Sequence, residues 1–184
     1  MPNEDLSIAL FGGSFDPPHI GHKAIVEALE KLDYIDKIII MPTFLNPFKS
    51  KSHASAELRY KWLNQIFQHS NRVEISKFEV DQNRRVASIE SVNHLLTMYE
   101  TIYLVIGADN LNTLETWNNY KELDKKVTFI VATRDNIEID DKFITLNINE
   151  ETSSSQLREK IEKSKLPQEC QNEIDKFYKE INEK

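Results

Sequence analysis

The chain is poor in cysteine and has no long apolar run, and each shortage narrows what the protein can be. A single cysteine, Cys170, excludes an internal disulfide and is typical of a reducing compartment such as the cytoplasm. No apolar run approaches the roughly 20 residues that a membrane-spanning helix needs. The acidic first residues do not resemble a signal peptide. We therefore expect a cytoplasmic protein that does not act at a membrane.

Positive charge is also scarce. Lys and Arg number 23 against 30 Asp and Glu, so the net charge is −7. Such a balance argues against general binding of nucleic acid or anionic membranes, and any phosphate ligand needs a local cluster of donors. The 184 residues, 40% of them hydrophobic, suffice for one packed core. We expect one domain, 1–184, with a short helical part from about residue 153.

Short apolar runs alternate with amphipathic segments along the chain, which predicts an α/β fold. Helical spacing of apolar residues covers 25–32, 57–67 and 89–99, and two more helices are expected after residue 153. This alternation is typical of a Rossmann-like open parallel sheet with helices on both faces, which binds ligands at the carboxyl ends of its strands. The predicted strands are 6–11, 37–41, 72–76, 101–106, 126–133 and 143–148.

Glycine is rare, yet three of the four glycines lie in one stretch, FGGSFDPPHIGH at 11–22. This stretch follows the first predicted strand. Glycine lets backbone amides approach a phosphate closely, and the next helix offers unpaired N–H groups at the positive end of its dipole. His19 and His22 lie on one side of that helix if it has begun by Gly21. The stretch therefore predicts an anion cradle.

Two plainer interpretations of this stretch stay open. It is compatible with an ordinary strand-to-helix turn that has capping residues. His19 and His22 also have a spacing that can ligate zinc, but no Cys, Asp or third His lies nearby at ligand spacing. We therefore expect no metal ligand here.

Two later segments carry polar groups that suit a nucleotide. Asp109 follows the strongest predicted strand and Gly107, where a carboxylate commonly accepts ribose hydroxyls, although a helix cap is the alternative. Ser153 and Gln156 form an S-x-x-Q capping-box pattern at the start of a helix. Arg158 lies one turn further on, and helix amides with an arginine fork suit a polyphosphate. Considered without its neighbours, Arg158 is equally compatible with an ordinary solvated charge on a helix.

Taken together, these segments resemble a known family. GGSFDPPHIGH is similar to the signature of the HxGH nucleotidyltransferase superfamily, and its extended form resembles that of the nicotinate mononucleotide adenylyltransferase family. The segments IGADNLNTLETW at 106–117, TSSSQLRE at 152–159 and LPQECQNEIDKFY at 166–178 resemble that family's later motifs in the same order. The resemblance therefore spans nearly the whole chain and implies the Rossmann-like fold of that superfamily.

The resemblance implies a reaction and its partners. Nicotinate mononucleotide and ATP give nicotinate adenine dinucleotide and pyrophosphate, and Mg²⁺ bridges the ATP phosphates with few direct protein ligands. The substrate phosphate is the nucleophile, so no covalent intermediate with the protein is needed. No side chain is assigned to a metal.

The resemblance also implies roles for individual residues. The expected catalytic residues are His19, His22 and Arg158. The expected ATP-binding residues are Gly12, Gly13, Ser14, Phe15, Gly107, Asp109, Ser153, Ser154 and Ser155. The expected substrate-binding residues are Asn46, Lys49, Ser88, Trp117 and Arg134.

One departure from the family pattern keeps alternatives open. Ala87 and Val92, on either side of Ser88, stand where the family has tyrosine and leucine, so the preference for the acid or the amide mononucleotide is open. The alternatives are an adenylyltransferase for nicotinamide mononucleotide or phosphopantetheine, and a nucleotide-binding regulator without catalysis. A purely structural domain does not explain four motifs in order.

Overall fold

A computed structural model of the chain describes residues 4–46, 50–133 and 138–184. The strands are β1 Glu4–Gly13, β2 Lys37–Pro42, β3 Val73–Ile75, β4 Tyr99–Gly107, β5 Thr128–Thr133 and β6 Ile144–Asn147. The α-helices are α1 Ile20–Glu30, α2 Ala56–Phe67, α3 Phe78–Asp81, α4 Ser88–Leu95, α5 Tyr120–Lys126, α6 Ser154–Glu159 and α7 Gln171–Asn182. Short 3-10 turns cover Ala108–Asn110, Leu114–Thr116 and Lys163–Lys165.

The strands form one parallel sheet in the order β3-β2-β1-β4-β5-β6. The chain winds outward from β1 in one direction and then from β4 in the other. β1 and β4 are therefore neighbours at the point where the order reverses, with Phe11 opposite Val105. In sheets of this kind a crevice opens beyond the carboxyl ends of those two strands. The predicted Rossmann-like sheet is confirmed, and it places the loop after β1, within the stretch 11–22, at that crevice.

Alternate residues of the central strands enter two different cores, one on each face of the sheet. Leu10 belongs to a buried cluster with Val92 of α4 and Leu123 of α5. Its neighbour Phe11 belongs to a second cluster with Leu29 of α1. Strands that are buried on both faces show nearly continuous apolar runs, because each face needs its own apolar side chains. The expected helices on both faces are thus present.

A third core joins the last two helices to α2. Trp62 and Ile66 of α2 pack with Leu157 of α6 and with Ile174 and Tyr178 of α7. All five side chains are buried. This core brings the C-terminal helices beside the loop after β1. Among the described residues, no helix combines the length and apolar character needed to cross a bilayer.

Some elements differ from the sequence-based expectation. Tyr99 begins β4 instead of extending the helical face that starts at Ile89, because α4 ends at Leu95 and a turn follows. The short helix α3 was not predicted, since four residues carry no measurable apolar period. α5 was also missed because it buries only Leu123, so Lys126 ends a helix instead of beginning a strand.

A buried hydrogen bond ties α7 to the loop after β1. The Tyr178 hydroxyl donates to the Asp16 carboxylate, which also accepts the N–H groups of His53 at 2.8 Å and Ala54 at 2.9 Å. Burial alone raises the pKa of Asp16, but these hydrogen bonds and the charge of Arg59 hold it below its ordinary value of 3.8. Asp16 is therefore an ionised carboxylate that gathers three parts of the chain.

Tyr178→Phe tests this tie. We expect a loss of about 1–3 kcal/mol in the free energy of unfolding at pH 7, because a buried carboxylate loses one donor. Since the pKa of Asp16 is depressed on folding, the difference from the unchanged protein should narrow as pH falls below about 4. Urea unfolding of both proteins at pH 7 and below pH 4 measures this difference in the free energy of unfolding. Tyr60→Phe on α2 is the control, and an equal loss there would contradict the prediction.

Candidate active site

Two histidines cap the helix that follows β1. The Nδ1 atom of His19, at the N-cap of α1, accepts the N–H of Gly21 at 3.0 Å. The Nδ1 atom of His22 accepts the N–H of His19 at 3.1 Å. The two rings stack with centroids 3.7 Å apart, so both lie on one side of the helix start as predicted. Because each Nδ1 is an acceptor, a neutral ring carries its proton on Nε2.

Gly21 is required by close packing around the first histidine. A Cβ at this position would lie 2.8 Å from Cε1 of His19 and 3.4 Å from the carbonyl oxygen of Thr152. Real Cβ contacts are not this short, so a larger residue must displace the imidazole. The glycine therefore lets the His19 ring fold over the helix start while the segment before α6 passes behind it.

The side chain of Phe15 packs against the ring of His22. Its ring is buried and meets the His22 ring edge-on, with centroids 4.7 Å apart. The backbone at Phe15 is left-handed, with φ of 51°, which is uncommon for an aromatic residue. Its side chain is therefore a packing wall, and a contact of Phe15 with ATP would have to come from the main chain.

Arg158 and the start of α6 lie against the same loop. The Nη1 atom of Arg158 donates to the carbonyl of Asp16 at 2.7 Å, and its Nη2 atom donates to Oγ of Ser155 at 3.1 Å. The Ser154 hydroxyl donates to the carbonyl of Pro17 at 2.8 Å. The structure thus brings a guanidinium and two serines to the edge of the sheet that carries the histidines.

The predicted cap at Ser153 is present. Its hydroxyl accepts the N–H of Gln156 at 3.2 Å, and α6 begins at the next residue. Leu157, on the buried side of this helix, packs into the third core. This packing leaves Arg158 on the side that faces the loop after β1.

Arg59 is a site-forming residue that the sequence analysis missed. Its guanidinium is fully buried and donates to three backbone carbonyls, those of Ala54 at 3.1 Å, Ser14 at 2.6 Å and Phe44 at 3.0 Å. Burial lowers its pKa, while the charge of Asp16 raises it. A signal was available, because Arg59 falls on the apolar stripe of α2 three residues before Trp62.

A pocket of about 230 Å³ opens where β1 and β4 end. It contains five residues that were predicted to bind ATP or substrate, namely Gly12, Gly13, Asn46, Ser88 and Trp117. The Nδ2 atom of Asn46 also donates to Oγ of Ser14 at 3.4 Å. This volume is below the roughly 300–1,000 Å³ of sites for drug-sized ligands, so it suits one ring and its substituent.

Glu79 also lines this pocket and was not predicted. It lies on α3, its side chain is buried, and Oε1 accepts the Ser91 hydroxyl of α4 at 2.7 Å. Burial raises the pKa of Glu79 to about 7; the Ser91 hydrogen bond opposes the shift, and the charge of Glu90 adds to it. The sequence gives no signal for this residue, because α3 is too short to show which side of it is buried.

Asp109 lies beyond the end of β4, in an exposed position in the first 3-10 turn. A Cβ at Gly107 would lie 2.5 Å from Oδ1 of Asp109, so the carboxylate folds back over this glycine. The alternative role of Asp109 as the cap of an α-helix is not seen, because two 3-10 turns follow β4. Lys49 and Arg134 lie outside the described residues. Within the described ranges, no group of three or more His, Cys, Asp or Glu side chains could hold a metal ion.

Comparisons with known proteins identify the family to which this chain belongs. Residues 10–160 match the cytidylyltransferase-like family. A Sulfurimonas denitrificans protein named "Probable nicotinate-nucleotide adenylyltransferase" is 64% identical over 95% of this chain and 96% of its own. The chain belongs to the nicotinate-nucleotide adenylyltransferase family. The resemblance found in GGSFDPPHIGH and the three later segments is thereby confirmed.

Other members of this family support the same placement. A Campylobacter fetus protein of the same name is 48% identical over 96% of this chain and 99% of its own. A solved structure of Plasmodium falciparum nicotinic acid mononucleotide adenylyltransferase, complexed with NaAD, has a TM-score of 0.73 and covers 96% of each chain. At 19% identity, that structure supports the fold alone.

Gly21→Ala tests the packing of the histidine cap in this nicotinate-nucleotide adenylyltransferase family member. We expect a lower melting temperature, because the new methyl group displaces the His19 ring and breaks its hydrogen bond, a loss of about 1–2 kcal/mol. Gly12→Ala is the matched control for stability, since its Cβ would meet only the Met41 carbonyl at 3.8 Å. Calorimetric melting of both variants decides, and equal melting temperatures would contradict the prediction.

Glu79→Gln tests the buried acid. The raised pKa means that folding takes up a proton between pH 4.5 and about 7, so the unchanged protein loses stability as pH rises through this range. The variant should lack that loss, and its advantage should grow to about 3 kcal/mol by pH 7 and then level off. Asp81→Asn, on the exposed side of the same helix, is the control. Urea unfolding from pH 4.5 to 8 measures the difference, and a constant difference would refute the raised pKa.

Proposed function

We propose that this protein transfers the adenylyl group of ATP to nicotinate mononucleotide, giving nicotinate adenine dinucleotide and pyrophosphate. One observation carries the assignment of residues. Arg158, which is distant in sequence, donates to the carbonyl of Asp16, three residues before His19. A guanidinium and two imidazoles therefore converge at one edge of the sheet. The family relationship supports the reaction, and this convergence supports the residues that perform it.

The loop after β1 is the proposed seat of the ATP triphosphate. His22 contacts the α-phosphate and the charge that develops there, and His19 contacts the neighbouring phosphates. Arg158 stabilises the departing pyrophosphate together with the serines at the start of α6. Asp109, beyond the end of β4, accepts the hydroxyls of the ATP ribose. The main chain of Gly12 to Phe15, with the Ser14 hydroxyl, lines the approach to the phosphates.

The pocket at the ends of β1 and β4 is the proposed seat of the pyridine ring. Trp117 supplies an aromatic wall, and the buried Nε1 atom of its indole has no hydrogen-bond partner among the described residues. Ser88 lies at the start of α4 and faces the ring substituent. Asn46 reaches toward the mononucleotide phosphate, and Lys49 and Arg134 remain proposed contacts of that phosphate.

Catalysis by this site consists of positioning and charge neutralisation. The mononucleotide phosphate attacks the α-phosphorus in line, pyrophosphate leaves, and no side chain forms a bond to either substrate. The hydrogen bonds to Nδ1 fix both imidazoles before substrate arrives, so no reorganisation is needed at the transition state. The reaction would take place in the cytoplasm.

Mg²⁺ fits this site as a companion of ATP. The carboxylate of Asp16, in the same loop as His19, already accepts three hydrogen bonds and has little capacity left for a cation. We therefore propose that phosphate oxygens and waters supply most ligands of the ion. When bound, Mg²⁺ neutralises phosphate charge.

His22→Gln and His22→Ala together test the catalytic assignment. We expect kcat to fall more than tenfold in both, a loss on the order of 2–4 kcal/mol of transition-state stabilisation. Because His22 also caps α1, the alanine variant should be less stable as well, whereas glutamine keeps an acceptor for the His19 N–H. Pyrophosphate release with ATP and nicotinate mononucleotide measures the rate.

His69→Ala, an exposed histidine at the end of α2, is the control for that experiment. It should release pyrophosphate at the unchanged rate. A near-normal kcat in His22→Gln would overturn the role of the imidazole. Absence of pyrophosphate release by the unchanged protein with any mononucleotide would instead favour a nucleotide-binding regulator.

A further inference from the structure

The proposed pyridine pocket presents an electrostatic problem. Among the described residues that line it, Glu79 is the one with an ionisable side chain, and the others are apolar or carry neutral polar groups. The proposed substrate places a ring carboxylate in this same space. Two carboxylates in one small pocket cannot both be ionised without a large cost, because little water remains there to screen them.

The pocket also contains a hydroxyl without a partner. Oγ1 of Thr43 is buried, lines the pocket and makes no hydrogen bond to any described residue. Buried polar atoms in proteins are nearly always paired, so this hydroxyl is available to a polar group of a ligand that enters the pocket. Oε1 of Glu79 is already occupied by the Ser91 hydroxyl, which leaves Oε2 as the oxygen available to carry a proton.

We propose that Glu79 determines which pyridine nucleotide this protein accepts, by donating a hydrogen bond from its protonated carboxyl to the ring carboxylate of the acid mononucleotide. The ionised form of Glu79 repels that carboxylate but leaves the binding of the neutral carboxamide of the amide mononucleotide unchanged or improved. This inference rests on the proposed function and adds a specificity residue to it. Its chemistry is proton exchange alone, since the proton moves from solvent to Glu79 and stays there while the acid is bound.

The surroundings of Glu79 favour the protonated form near neutral pH. Burial disfavours the ionised carboxylate, and the negative charge of Glu90 on α4 adds to this effect, although Arg84 pairs with Glu90 at 2.7 Å. The hydrogen bond that Ser91 donates to Oε1 acts in the opposite direction and is a weaker influence than burial. Lys77, two residues before Glu79, forms ion pairs with Glu57 at 3.0 Å and with Asp81 at 3.7 Å.

The remaining walls bring no charge toward this carboxyl. β1 contributes Gly12 and Gly13, β4 contributes 104–106, and the turn after β4 contributes Asn110, Trp117 and Asn118. On α4 the ring of His94 stacks on Phe78, with centroids 3.9 Å apart. No described cation of these walls pairs with Glu79, so burial is the main influence on its protonation.

The test compares acid and amide mononucleotides in the unchanged protein and in Glu79→Gln. The readout is the ratio of kcat/KM for the acid to kcat/KM for the amide, measured from pH 6 to 8.5. Histidines and phosphates also titrate in this range, but they affect both substrates alike and cancel in the ratio. In the unchanged protein the ratio should fall up to tenfold per pH unit above about pH 7. In Glu79→Gln, whose amide is a permanent donor, the ratio should be flat, and at pH 8.5 it should exceed that of the unchanged protein.

A direct measurement of protons keeps the test independent of turnover. Calorimetric titrations are made at pH 8 in buffers of different ionisation enthalpy. Binding of the acid mononucleotide should be accompanied by the uptake of close to one more proton than binding of the amide mononucleotide. Glu79→Gln should abolish this difference, and Asp81→Asn should retain it.

The outcomes separate this inference from the proposed function. Parallel pH profiles for Glu79→Gln and the unchanged protein, with normal turnover of the acid, would overturn the role of Glu79 alone. A fall of the ratio in Glu79→Gln at every pH would likewise overturn it, because a permanent donor should not disfavour the acid. Absence of pyrophosphate release with either mononucleotide would be a failure of the proposed function.

Discussion

The candidate site depends on one pair of buried charges, the carboxylate of Asp16 and the guanidinium of Arg59. Neither side chain has an apolar role, and burying either charge alone would cost several kcal/mol. Together they bind five main-chain groups: Asp16 accepts N–H groups from 53 and 54, and Arg59 donates to carbonyls at 14, 44 and 54. The loop after β1 and the loop after β2 are thereby held in one arrangement.

This constraint explains how segments far apart in sequence meet at the histidines. Tyr178 of α7 donates a hydrogen bond to the Asp16 carboxylate, and Arg158 of α6 donates one to the main-chain carbonyl of the same residue. Both C-terminal helices therefore bind Asp16, and α6 adds the hydrogen bond from Ser154 to the Pro17 carbonyl. A reaction without a covalent intermediate is accelerated by positioning the reacting groups. The interactions that fix this loop therefore contribute directly to the proposed catalysis.

The sequence predicts the sheet well and the walls of the site unevenly. The four inner strands are buried on both faces and give continuous apolar runs, while the edge strands β3 and β6 are less buried and were located from shorter apolar runs. The glycines and histidines at 12–22 point to the loop because few other functions need them together. Arg59 and Glu79 were not predicted because charged residues within helices are usually solvated. The position of Arg59 on the apolar stripe of α2 does hint at its burial, whereas only packing shows that Glu79 is buried. Tyr99 was misplaced because an apolar residue at helical spacing remains ambiguous when a helix stops one turn earlier.

Charge explains why the site needs buried acids to be held in two different ways. A protein with a net charge of −7 that performs the proposed reaction between two phosphate-bearing substrates must not add negative charge where they meet. Asp16 stays ionised, but its negative charge is compensated by hydrogen-bond donors of the protein itself and by the nearby guanidinium of Arg59. Glu79 has no cation as partner among the described residues, and burial brings its pKa to about 7. Asp16 therefore keeps its charge and its structural role at any physiological pH, while the charge of Glu79 changes with the pH of the solvent. Only an acid of the second kind can gain or lose a proton in response to the charge of a ligand.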